Sequence, residues 1–306
     1  MEGIVVKSTG NVYDIIINNN VLVKAYLQGR LRLENNVFTN PVVVGDRVSL
    51  NKEGQNYFIN KIFKRKNFIV RKSVKLSKTH QMLASNIDQV LLIVTLVKPF
   101  TSTKFIDRFL ASAEVQGIQV ILVFNKTDLY NEELKIKLEY IYSLYNNIGY
   151  KCIKSSFIND DNKNILSLLN NKITLISGHS GVGKSSLINY LSGNNKIKVS
   201  EISEHYELGK HTTTFSEMHK LGNQGFVIDT PGIKGFGLVD LSSKDLAYGF
   251  KEFVKYKTNC RFKSCVCVNE PDCGVKNAVK LDKISKERYL NYLSILNEDN
   301  FKTRKR

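Results

Sequence analysis

Long apolar runs, acidic side chains and cysteine are all scarce in this sequence. The longest apolar run, "VLLIVTLV" at 90–97, falls well short of the roughly 20 residues that cross a bilayer. It reads as a buried strand, and no membrane partner is expected. The opening "MEGIVVKSTG" has no basic start followed by an apolar stretch, so a secretory leader is not expected and a cytoplasmic location is. Asp and Glu number 28 against 45 Lys and Arg, a net charge of +17. Of only five cysteines, Cys152 stands alone and four crowd into 260–273. In a chain expected in a reducing compartment, that clustering points to a metal before disulfides.

What remains is ordinary in composition but not in layout. A chain of 306 residues, 42% hydrophobic, can bury two or three separate cores. Residues 1–70 carry ten basic and five acidic side chains, 71–240 twenty and fifteen, and 241–306 fifteen and eight. The two short outer segments therefore hold most of the excess. Such asymmetry is the footprint of a polyanion partner. The plainer reading is solubility alone, for which a charge of about +5 would serve.

Three regions follow from the pattern. Residues 1–70 alternate short β-rich runs with turn signals ("GIVVKSTGNVYDIIIN", "VLVKAYLQGRLRL", "NPVVVGDRVSL", "QNYFINKIFKRKNFIV"), which predicts a small five-stranded oligonucleotide-binding (OB-fold) barrel. Tyr13, Arg30, Arg32 and Phe58 are its candidate surface readers, although aromatics in such strands are more often core than stacking platforms. Residues 71–240 alternate continuous apolar strands with helical spacing, "STKFIDRFLASAEVQG" and "NEELKIKLEYIYSLYNNIG" among them. That rhythm predicts a doubly wound α/β domain. Residues 241–306 read as helix ("SSKDLAYGFKEFVKY"), cysteine cluster, helix ("DKISKERYLNYLSIL") and the basic tail "FKTRKR", expected to be mobile.

The stretch "GHSGVGKSS" at 178–186 carries chemistry. Gly178, Gly183, Lys184 and Ser185 fit the Gly-x-x-x-x-Gly-Lys-Ser phosphate loop, between the strand "ITLIS" and the helix "KSSLINYL". Its backbone N–H groups, from His179, Ser180, Gly181 and Val182 through to Ser186, can point inward at an anion. Lys184 adds charge at the β and γ phosphates, and the Ser185 hydroxyl would ligate Mg²⁺. "NKTD" at 125–128 follows the strand "VILVF" and selects the base. The Asp128 carboxylate can accept from guanine N1–H and N2–H₂, a donor pair adenine lacks. Asn125 is expected at the base edge, the Lys126 stem over its face, and Thr127 within the same loop. Ser155 and Ser156, after "YKCIK", are candidate backbone contacts. In "DTPG" at 229–232, Asp229 would hold the Mg²⁺ shell and the Gly232 amide would sense the γ-phosphate. In "HTTT" at 211–214, Thr213 would complete the metal's coordination.

The order is unusual. The guanine motif precedes the phosphate loop, as if the chain break had moved around an otherwise conventional cycle, which a doubly wound sheet tolerates when its old termini lie close. In this order "RKNFIVRK", "ASNIDQVLLIVT", "FIDRFL", "NKTD", "GHSGVGKSS", "HTTT", "DTPGI" and "EPDCGVKNAV" resemble the circularly permuted GTPases, specifically the bacterial ribosome small-subunit-dependent GTPase A family. The resemblance covers nearly the whole chain. It implies an OB-fold barrel, a permuted P-loop GTPase domain and a C-terminal zinc domain. It also implies binding to the small ribosomal subunit and its rRNA late in maturation, stimulation of GTP hydrolysis there, and a catalytic role for His211. Read without the family, a histidine in a polar loop serves equally as plain surface. Ile233 stands where many GTPases carry a water-orienting glutamine, so hydrolysis without the ribosome is expected to be slow.

Cys260, Cys265, Cys267 and Cys273 suit one tetrahedral, structural Zn²⁺, with no open position for water. The family carries histidine where this chain has Cys267. An iron–sulfur cluster or a redox pair are competing readings. Two functional readings stand against the GTPase: an rRNA-binding checkpoint whose turnover is incidental, and a P-loop ATPase or kinase, against which "NKTD" argues. A monomer binding GTP and GDP is expected.

Overall fold

The computed structural model describes residues 1–29, 40–72, 80–159, 163–193, 216–221, 225–229 and 242–304. Strands β1 (Glu2–Ser8), β2 (Val12–Ile17), β3 (Val21–Leu27), β4 (Arg47–Glu53) and β5 (Asn56–Ile62) pair in the order β1-β2-β3-β5-β4. The β1–β4 pairing closes them into a barrel. Alternation along β2 decides which side chains face in: Tyr13 and Ile15 are buried, their neighbours half-buried. Tyr13, at 1% exposure, is core rather than a surface reader, because it shares the inward parity of Ile15. Phe58 is half-buried against Tyr26, ring centroids 6.1 Å apart. Arg30 and Arg32 lie outside the described residues.

A two-stranded ribbon, β6 (Phe68–Lys72) with β7 (His80–Ser85), follows the barrel and straddles position 70. The buried Asp46 carboxylate fastens ribbon and barrel together. It accepts from Arg65 Nε at 2.7 Å, Ser85 Oγ at 2.6 Å and the Val43 N–H at 2.9 Å.

The central sheet runs β10-β9-β8-β11-β13-β12, formed by β8 (Gln89–Val94), β9 (Gln119–Phe124), β10 (Lys151–Lys154), β11 (Ile173–Ser177), β12 (Glu217–Leu221) and β13 (Gly225–Asp229). All are parallel except β12, antiparallel to β13. Strand β8 is buried at every position, as a strand covered on both faces must be. Val90, Leu92 and Val94 pack on α1 (Thr103–Val115) and α2 (Glu132–Ile148), while Leu91 and Ile93 face α3 (Lys163–Leu169) and α4 (Lys184–Gly193). The Ser102 and Asn131 side chains cap α1 and α2, and Gly149 ends α2 in the left-handed region. The strand read as 90–97 stops at Val94, because the Thr95 N–H turns to the Thr101 hydroxyl.

The C-terminal region comprises α5 (Ser243–Gly249), α6 (Lys251–Lys257), α7 (Gly274–Lys280) and α8 (Lys286–Arg304). The single helix read over "SSKDLAYGFKEFVKY" is broken at Phe250, whose extended backbone sends a fully buried ring into the core. Helix α8 continues through Arg304, so part of the expected mobile tail is helical. Among the described residues no helix is long and apolar enough to cross a membrane.

Candidate nucleotide-binding site

Every segment singled out for nucleotide chemistry and described here emerges from the same, carboxyl-terminal edge of the parallel sheet. "NKTD" leaves β9, Ser155 and Ser156 leave β10, the phosphate loop leaves β11, and Asp229 ends β13. Strand order reverses between β8 and β11, the switch point where open α/β sheets place their ligands. The permuted chain order thus leaves the spatial cycle intact.

Asn125 holds the loops together. It is 2% exposed. Its Nδ2 donates to the Val182 carbonyl at 2.7 Å and its Oδ1 accepts from the Phe157 N–H at 3.1 Å. The side chain thereby pins the guanine loop to the phosphate loop and to the segment after β10. Leaving such buried groups unpaired costs about 1–3 kcal/mol. Thr127 completes the connection, its hydroxyl donating to the Ser155 carbonyl at 3.1 Å. Lys126 stands in the left-handed region (φ 63°), its Nζ donating to the Lys98 carbonyl at 3.1 Å. Asp128 is exposed, as a carboxylate awaiting an external donor pair should be. Ser155 and Ser156 are each 3% exposed.

The phosphate loop needs glycine for two reasons. Gly178 (φ 146°) and Gly183 (φ 107°) occupy backbone conformations that side chains resist. Space is closed too: a Cβ at Gly178 would lie 2.3 Å from the Ile93 carbonyl oxygen, and one at Gly183 2.3 Å from Asn125 Nδ2. Ser180 and Gly181, at the crest, are exposed. Lys184 turns its ammonium back onto the Gly178 and His179 carbonyls at 2.9 and 2.7 Å. Burial lowers its pKa, partly offset by the Asp229 carboxylate. His179 stacks against Phe105 of α1, centroids 4.0 Å apart. Burial and the nearby Lys184 charge lower its pKa. A glycine cradle, an ammonium and the Ser185 hydroxyl at the start of α4 form the donor set that a magnesium-bound phosphate requires. His211, Thr213 and Gly232 lie outside the described residues.

The cysteines form a second centre. The four Sγ atoms lie within 4.8 Å of one another, with Cys260–Cys273 and Cys265–Cys267 each at 3.9 Å. A metal–sulfur distance of about 2.3 Å in a tetrahedron separates sulfurs by about 3.8 Å, so the set can hold a metal ion. The Gly274, Cys267 and Lys276 N–H groups donate to Cys260, Cys265 and Cys273 sulfurs at 3.3, 3.4 and 3.5 Å. Glu270, which sequence reasoning passed over, accepts from the Val266 and Val268 N–H groups at 2.7 and 2.9 Å and shapes the turn carrying Cys267. Cys152 is buried, and burial pushes its thiol up to about 12, as suits an inert core residue.

Helix α1 meets both the phosphate loop and the C-terminal region. Phe105 meets the phosphate loop, while Asp107, fully buried, accepts from Arg288 of α8 at 2.5 Å, Tyr145 at 2.7 Å and Asn291 at 2.7 Å. Arg288, 1% exposed, also pairs with Glu252 at 2.6 Å. Burial opposes charge at both groups; their mutual attraction keeps the guanidinium firmly protonated. No sequence signal marks this joint, because its partners lie 181 residues apart.

The RsgA GTPase family profile matches residues 62–239. The chain is 46% identical over 301 residues to small ribosomal subunit biogenesis GTPase RsgA 2 of Bacteroides thetaiotaomicron, covering 97% of each. To the RsgA protein of Flavobacterium psychrophilum it is 44% identical over 304 residues, covering 98% of this chain and 93% of the relative. The crystal structure of YjeQ from Thermotoga maritima matches with a TM-score of 0.77 at 33% identity, over 97% of both chains. That of YloQ, a circularly permuted GTPase, matches with a TM-score of 0.75 at 26% identity, over 98% of this chain and 95% of YloQ. With its sheet order, nucleotide edge and four-cysteine cluster, the chain belongs to the RsgA family of circularly permuted GTPases.

Proposed function

We propose that this GTPase acts on the small ribosomal subunit during its late maturation, hydrolysing GTP slowly alone and faster on the subunit, with nucleotide state governing release. The observation that carries the reading is the Asn125 bridge, which ties the guanine and phosphate loops together at one edge of the sheet. Asp128 reads guanine, the Lys126 stem covers it, and the 155–156 backbone borders it. Residues 178–186 enclose the phosphates. Ser185, Thr213 and Asp229 hold Mg²⁺, which neutralises charge developing on the γ-phosphate, and His211 acts on the attacking water. The four cysteines hold one structural Zn²⁺.

Three units divide the work: a barrel (1–70) and a cysteine domain (241–306), both basic and suited to rRNA phosphates, flank the GTPase domain (71–240). The ring contact at Phe105 and the Asp107–Arg288 pair support a mechanical route from phosphate loop to cysteine domain through α1.

Single-turnover GTP hydrolysis, measured with purified small subunits, large subunits and neither, tests the proposal. Acceleration by small subunits alone is expected. Equal rates in all three would favour the alternative of an rRNA-binding checkpoint whose nucleotide only sets affinity.

A further inference from the structure

Tyr130 stands two residues after the guanine motif, and neither its position nor its type marks it in the sequence. Its ring folds back beneath the loop and is 5% exposed. The hydroxyl donates to the Asn125 carbonyl at 2.9 Å and accepts from the Leu96 N–H at 2.9 Å. One phenol thus joins the guanine loop to the segment after β8. That segment also supplies the Lys98 carbonyl, which receives the Lys126 ammonium, and Pro99, which lies against Gly181 of the phosphate loop.

We propose that the Tyr130 hydroxyl is a positioning group for guanine nucleotides, holding the backbone on which Lys126 and Asp128 stand. The assignment rests on the guanine-nucleotide reading given above. Lys126 needs outside help because a left-handed backbone is costly for a residue with a side chain. The peptide entering it is fixed at Asn125 by Tyr130, and the Leu129 N–H, 3.0 Å from the Lys126 carbonyl, fixes the exit. The phenol is available as a donor at all physiological pH values, since burial, with the Asp128 charge adding to it, raises its pKa despite the Leu96 N–H.

Tyr130→Phe keeps the ring and removes only the hydroxyl, leaving a buried N–H and a buried carbonyl short of a partner. The expected result is a Kd raised about tenfold for GTP and GDP alike, mainly through faster release. The single-turnover rate constant at saturating GTP is expected to stay unchanged. Tyr145→Phe, which removes another buried phenol hydrogen bond at Asp107, is expected to leave both affinities unaltered. Folded Tyr130→Phe protein binding within twofold of wild type would overturn the proposal, as would a loss confined to the saturated rate. Should that variant fail to fold, hydrogen exchange at the Leu96 amide of the wild-type chain decides. Slower exchange on adding GDP is expected, and unchanged exchange would overturn the proposal. A wild-type chain that binds no GDP would sink the underlying nucleotide reading instead, a distinguishable outcome.

Discussion

At the nucleotide edge, four segments bond to one another through their own side chains. Asn125 reaches Val182 and Phe157, Thr127 reaches Ser155, and Tyr130 reaches Leu96. In the cysteine domain the ligands are themselves core: Cys265, Cys267 and Cys273 sit at 5% exposure or less, among Phe250, Phe253 and Tyr292. The first arrangement lets a nucleotide come and go from a preformed cradle. In the second, four thiols share one small space that can hold a metal ion. Binding there is part of folding.

Removing the metal breaks the comparison hardest. Chelation, or Cys267→Ser, is expected to unfold residues 242–304, since structural zinc contributes an apparent ~10–16 kcal/mol in small domains. GDP binding should persist, because the nucleotide edge rests on separate clusters on the two faces of the sheet. Circular dichroism with a GDP titration on the same sample checks both. Loss of GDP binding in step with helix content would show that the two regions are not independent.

The joint between them comes next. Arg288→Met strands the Asp107 carboxylate in a fully buried site, and a destabilisation of about 3–5 kcal/mol in urea unfolding is expected. Combining it with Asp107→Asn should recover part of the loss, since Tyr145 and Asn291 can still bond the amide.

The smallest effect is at the rim of the same joint. A hydrogen bond from Lys104 and the Arg108 charge hold the Glu298 carboxyl below its ordinary 4.5, against a weaker push from burial. A carboxylate lowered on folding stabilises the protein above its unfolded pKa, and that stability is lost as pH falls through the lower folded value. Glu298→Gln should therefore lower stability slightly at neutral pH, leave it nearly unchanged at acid pH, and so flatten the acid limb. The side chain is 44% exposed, so water screens the pair and the effect should stay under about 1 kcal/mol.

What the sequence made legible were requirements met by one contiguous stretch. The phosphate loop, the guanine motif and the cysteine spacing each state their chemistry within fourteen residues or fewer. Helix ends also rest on local residues, because Ser102, Asn131 and Gly149 act on their own neighbours. Contacts between distant, common residue types were not. Arg288 resembles any other surface arginine until Asp107 lies beside it, and Tyr130 any other aromatic. Asn125 shows a subtler gap: the motif located the residue, but did not show that its side chain ties the guanine loop to Val182 and Phe157. Tyr13 took the core side of its two readings, since an aromatic in an alternating strand faces either way until barrel closure decides.

Equilibrium binding of GDP, ADP and xanthosine diphosphate to the wild-type chain and to Asp128→Asn tests the central claim most directly. The account predicts that wild type prefers GDP over both others by orders of magnitude, and that the variant weakens GDP while gaining xanthosine diphosphate. Guanine preference that survives the substitution, or equal affinity of the wild-type chain for ADP and GDP, would contradict it.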